Sequence, residues 1–135
     1  MSEALVRQAL ETRLNAIAAA LPTAWENDDF TPPAGGSAWQ RVDLMRAEPE
    51  NPEFGPMKRL LGVMQVMLFY PQSVGTADAD AKAAAIADWF KRGTTLAQGG
   101  VTVTIDKTPY VMPGFRDGNS WALPVRISYY SNISV

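Results

Sequence analysis

The chain has 135 residues, 47% of them apolar and 19% charged, with a net charge of −2. That is enough chain for one domain with a sizeable core and no need of staples, and its balanced charge excludes the basic face of a duplex-binding protein. It contains no cysteine and no histidine, which rules out disulfides, thiolate nucleophiles, Cys/His zinc clusters and any imidazole base.

The first residues are charged and lack the apolar centre of a signal peptide, and no apolar run reaches the roughly twenty residues of a membrane helix. The expectation is a protein that is soluble and intracellular when made. Residues 2–21 read as a helix. Val6, Leu10, Leu14, Ile17 and Leu21 step along one face, Ser2 suits the N-cap, and Pro22 is expected to end the helix. Residues 23–27 read as a short strand. Residues 28–37 hold two prolines and two glycines and read as a loop. Asp28 and Asp29 lie in it. Neighbouring side chains diverge on an extended chain, so a solvated turn is expected rather than an acid–base pair.

Residues 38–47 form a strand with Trp39, Arg41, Asp43 and Met45 on one face and Gln40, Val42, Leu44 and Arg46 on the other. Neither face is cleanly apolar, so part of this strand is expected to stay exposed or to meet a partner. Residues 48–57 are a proline-rich acidic loop holding Phe54. Residues 60–70 are the central strand, inside the most apolar run of the chain (58–71). It is apolar on both faces except at Gln65 and is longer than a typical strand. One face therefore needs helices, and the other needs a loop or another subunit.

A second helix is expected over residues 76–92. Thr76 is its N-cap, Asp78 and Asp80 lie in the first turn, Lys91 and Arg92 in the last, and Gly93 follows. Ala79, Ala83, Ile86 and Phe90 make its buried stripe. Residues 101–106 alternate as a half-buried strand. Residues 110–115 are a weaker strand interrupted by Pro113-Gly114. Asp117-Gly118 signals a hairpin turn. Trp121, Leu123, Val125, Ile127 and Tyr129 line the last strand, whose Pro124 points to an edge or a bulge. The tail 131–135 is expected to fray. The fold class is α+β, ordered α-β-β-β-α-β-β-β. It is one domain, with a single mostly antiparallel or mixed sheet of about five to six strands and two helices packed on it.

Trp25-Glu26-Asn27, then Phe30, then Pro32-Pro33 resembles the signature of small prophage proteins classed as tail-terminator-like, a group similar to the lambda-type tail terminator. Arg41-Val42, Ala47-Glu48-Pro49, Gly62, Phe69-Tyr70-Pro71, Gly75, Phe90, Gly99-Gly100-Val101 and Pro124-Val125 follow in register, so the resemblance covers nearly the whole chain. It implies a minor tail protein, non-enzymatic, without cofactor or metal, that caps a tail tube as a ring, by resemblance a hexamer, and prepares it for head joining. The implied partners are copies of itself, the tail tube protein and a head-completion protein, with no nucleic-acid readout and no membrane. The implied location is the head-proximal end of the virion tail, reached from the host cytoplasm during assembly.

The expected contact residues are Arg41, Asp43, Arg46, Phe54, Arg116 and Trp121. Trp25, Glu26, Asn27, Phe30, Pro32 and Pro33 are expected to serve packing, since large aromatic surfaces usually do. Two other readings stand beside this one. The first is another head–tail connector or completion protein. The second is a small enzyme using Glu26, Asp28, Asp29 or Asp43 as acid, base or Mg²⁺ ligand.

Overall fold

A computed structural model describes residues 2–33, 37–51, 55–72 and 75–134. Phe54, Val135, the capping role expected of the Ser2 side chain, and parts of the loops at 28–37, 48–57 and 72–75 lie outside the described residues.

The elements run α1 (Ser2–Asn15), β1 (Thr23–Ala24), β2 (Trp39–Arg46), β3 (Met57–Pro71), α2 (Ala77–Trp89), β4 (Thr95–Gln98), β5 (Val101–Ile105), β6 (Tyr110–Val111), β7 (Phe115–Asp117) and β8 (Ser120–Ser134). The class is α+β, as expected, with more strands than expected. The sheet is ordered β1-β2-β3-β8-β5-β4, and β6 and β7 also pair with β8. It is mixed, because β1 pairs parallel to β2 while the other pairings are antiparallel.

The spine is the β3–β8 ladder. Each strand has 15 residues, and the register runs unbroken from Met57↔Ser134 to Pro71↔Ser120. At the usual rise this is about 50 Å of ladder. The length of β3 is taken up by β8 within the chain, while β2 pairs only with the part from Gly62 to Phe69. One expectation is corrected here. The tail is not frayed as far as Ser134, because Ser131 is fully buried and its hydroxyl donates to the Thr102 carbonyl at 2.6 Å.

Pro124 is also corrected. It lies in the middle of the sheet rather than at an edge. On its far side β7 pairing ends at Ala122 and β6 pairing begins at Val125, so its missing N–H falls in the gap between two short strands. That gap is where Pro113-Gly114 interrupts the neighbouring chain.

Both helices contribute to one core. Val6, Leu10 and Leu14 of α1 and Ala79, Ala83 and Ile86 of α2 join Met64, Val66 and Leu68 of β3 and Val125, Ile127 and Tyr129 of β8, all buried. Each large side chain here contributes roughly 1.5–3 kcal/mol. The helix α1 stops at Asn15, six residues before Leu21, although Ile17 remains buried. Its last turn is tied sideways rather than extended. The Trp89 indole N–H donates to the Arg13 carbonyl at 2.7 Å, and the Arg13 guanidinium donates back to the Trp89 carbonyl at 2.8 Å while lying 3.8 Å over the indole ring. Ala19 then turns the chain with a positive φ of 56°, and its carbonyl accepts from Lys82 at 2.6 Å. The second helix also ends early, at Trp89. Gly93 is not its C′ residue but the start of the next strand pairing, where its N–H donates to the Ile105 carbonyl at 2.8 Å. Thr76 precedes α2 without a side-chain capping bond.

Candidate functional site

With both helices on one face of the sheet, the other face decides what the molecule presents. Register places Trp39, Phe69, Ala122 and Phe115 in one row across it. At this end the face is closed over β3 and β8, while Phe115 on β7 stays exposed. Phe69 and Ala122 are buried beside Met67 as a second, smaller core. Trp39 stacks on Phe69 with centroids 4.3 Å apart, and Phe30 stacks on Trp39 at 5.2 Å. Phe30 thus reaches the sheet through the Trp39 ring.

Moving along the strands, the same face opens. Met45, Val63 and Ser128 form a row in which Met45 is 42% exposed and Val63 half-buried. Leu61 and Tyr130 form the next row, also half-buried. Tyr110, 58% exposed, and Phe115, 45% exposed, stand along the β8 side. Between them run polar ties: Arg41 pairs with Asp43 at 3.2 Å, and Arg126 donates to Gln65 at 3.0 Å. A shallow cavity of about 200 Å³ lies at the open end, lined by Ala47, Leu61, Val63, Lys107 and Ser128 among others. The outer face is thus apolar toward both ends and crossed between them by these charged and polar pairs.

The expected contact residues do not converge on one spot. Arg41 and Asp43 lie on this outer face. Arg46 lies at the open end on the helix face and pairs with Glu3 at 3.5 Å. Arg116 is exposed on β7, opposite Trp121, at the far end of the ladder. Trp121 faces inward, half-buried against the main core, and its ring fills the place a side chain at Gly114 would take. Phe54 lies outside the described residues.

Among the carboxylates, Asp28 Oδ1 accepts the Asp29 N–H at 3.0 Å in an exposed turn. Among the described residues no three Asp or Glu side chains gather as a metal site, and no helix is long and apolar enough to cross a membrane.

The Trp25-Glu26-Asn27 cluster has a structural role that neighbouring letters do not reveal. Trp25 packs on the main core, and Asn27 turns the chain with φ of 54°. Glu26 Oε1 accepts from Arg7 Nη1 at 2.8 Å and from the Leu44 N–H at 2.9 Å. Burial alone pushes the Glu26 carboxyl up, but the bonds from Arg7 and Leu44, with the nearby charges of Arg7 and Arg46, outweigh it and hold it below its ordinary value. A depressed folded pKa stabilises above the unfolded value of about 4.3, and the contribution is lost as pH falls through the folded value. The pair is partly exposed, so screening limits this to about 1 kcal/mol or less. The melting temperature of the wild type should therefore exceed that of Glu26→Gln at pH 6, and the gap should close toward pH 3. A gap that is constant with pH would contradict it.

Taken together, the fold is of the α+β class and presents a broad sheet face, with the Glu26 carboxylate tying α1 to β2. It belongs to the phage tail terminator family: the family model, described as phage tail terminator protein, matches residues 5–129. The chain is thus a structural phage tail protein. One solved chain that carries no functional name superposes with a TM-score of 0.82 at 28% identity, covering 100% of this chain and 99% of that one. Another, from the virion of a native gene transfer agent particle, superposes with a TM-score of 0.62 over 99% of this chain and 98% of that one; at 12% identity this likeness shows the fold alone. No curated protein matches the chain.

Proposed function

We propose that this protein is a tail terminator in the full sense: a non-enzymatic ring subunit that caps the finished tail tube and prepares it for head joining. Its partners in this reading are copies of itself, by resemblance six in a ring, the tube protein below and a head-completion protein above. The observation that carries the reading is the uncovered apolar face around Met45, Leu61 and Val63 on a chain whose family model spans nearly its whole length. The likeness to a chain of a gene transfer agent virion supports a place in a particle. A ring needs a head-to-tail interface that closes by rotation, and a two-sided sheet with unlike edges suits it. Arg41 and Asp43 on the outer face, and Arg116 exposed at the far end of the ladder, serve as contacts in this reading. The net charge of −2 argues against nucleic-acid readout.

Gold-labelled antibody against the protein, applied to intact particles, tests the placement. Label at the head-proximal end of the tail supports the reading. Label confined to the head vertex would favour a head-completion protein instead.

A further inference from the structure

The outer edge of β2 is closed by a side chain. Two backbone pairs join β1 to β2, Thr23↔Gln40 and Ala24↔Arg41. One residue earlier, the Gln40 N–H reaches the Pro22 carbonyl at 2.9 Å. A parallel ladder repeats every two residues, so the rung beyond Ala24 would join the main-chain carbonyl of residue 26 to the N–H of residue 44. The chain has turned away by then, at Asn27. In place of that carbonyl, Glu26 Oε1 accepts the Leu44 N–H at 2.9 Å with the same 18-residue offset. Arg7 pins the carboxylate from α1 at 2.8 Å, and Glu11 also reaches Arg7 at 3.5 Å.

The opposite edge of the same sheet is β4, and it has no such guard. Among the described residues, nothing pairs with β4 on its outer side. Its sequence is Thr-Leu-Ala-Gln, without charge or proline, and Thr95 and Ala97 are exposed. Natural sheets blunt their edges with charges, prolines or covers because an open edge pairs with the next open edge it meets. A chain with two open edges on one sheet would polymerise head to tail. Closing either edge stops this. Beyond the β1 pairing β2 leaves five residues, 42–46, long enough to take the four of β4.

We propose that the Glu26–Arg7 clasp guards the β2 edge against β4 of a second copy of this chain, and so keeps free subunits from pairing edge to edge. The occupant named, a second copy, rests on the ring reading above; the guard itself does not.

Sedimentation velocity on purified wild type, Glu26→Ala and Glu26→Gln tests it, with circular dichroism to confirm folding. The wild type should stay monomeric over a wide concentration range. Glu26→Ala should self-associate, its average mass rising roughly twofold or more as closed or open head-to-tail species form. Glu26→Gln keeps an oxygen acceptor for Leu44 and should stay monomeric. Adding Ala97→Lys to Glu26→Ala places a charge on the β4 edge and should restore the monomer. A folded Glu26→Ala that remains monomeric overturns the proposal, and association that Ala97→Lys leaves untouched overturns β4 as the occupant. If Glu26→Ala does not fold, hydrogen exchange on the wild type decides. A Leu44 amide protected like its ladder neighbours supports the clasp, and one exchanging as an exposed amide overturns it. Wild type that fails to cap tails yet shows the protected Leu44 amide and the Glu26→Ala association would sink the ring reading and leave the guard standing.

Discussion

Replacing Gly62 with alanine should destabilise the fold by about 1–3 kcal/mol, the range for forcing extra atoms into a packed interior. A methyl group at this position meets the Met45 carbonyl oxygen at 2.5 Å and the Tyr129 hydroxyl at 2.7 Å. The first is backbone of the paired strand and cannot swing aside. The second belongs to a side chain that is 1% exposed and held against the main core. Gly62 is therefore a seat for the Tyr129 phenol. For a chain of this size the melting temperature should fall by roughly 3–5 °C per kcal/mol. Tyr129→Phe removes the hydroxyl that blocks the space, so Gly62→Ala combined with Tyr129→Phe should recover part of the loss. The Met45 contact remains, so recovery should be incomplete. A Gly62→Ala protein as stable as the wild type would show that the ladder opens freely here.

The second large effect separates the two ends of the outer face. Phe69→Ala removes the middle ring of the Phe30–Trp39–Phe69 stack from a site that is 4% exposed. It should cost about 3–5 kcal/mol of stability. Val63→Glu acts on the same face, six residues away along β3, where the side chain is half-buried between Met45 and Ser128. Its carboxylate can reach water, so the fold should survive with a stability change of about 1 kcal/mol. Assembly should not survive, because a charge placed at the centre of an apolar contact must be buried unpaired when the partner arrives. Thermal melts and tail-capping assays on both variants check the contrast. A Val63→Glu protein that folds and caps tails normally would remove the outer face from the account.

How much of this was legible in the letters depends on how far apart the interacting residues lie. The faces of β2 and β3 were readable because a strand alternates strictly, and the Arg41–Asp43 pair follows from that alternation alone. The helix cores were readable for the same local reason. The early end of α1 was not, because it depends on Trp89, 76 positions from Arg13. The strand β4 was missed because four residues between two glycine turns carry too little pattern. The last strand was underestimated because Ser131, Asn132 and Ser134 look like a polar tail, and only the pairing with Met57–Leu60 makes them strand. The role of Glu26 was not legible. Its two partners lie 19 positions before it and 18 after it, and no local rule joins them. Gly62 stood out only through the family resemblance, and what it approaches, the Met45 carbonyl and the Tyr129 phenol, is set by the strand pairing.

The proposed function is the capping of finished tails. The direct measurement adds purified protein to tails assembled by a phage that lacks its own terminator, and reads tail length and head attachment by electron microscopy. The expected result is tails of uniform length that carry heads, with a ring of density at the head-proximal end. Tails that keep growing and join no heads, in the presence of folded protein, would contradict it.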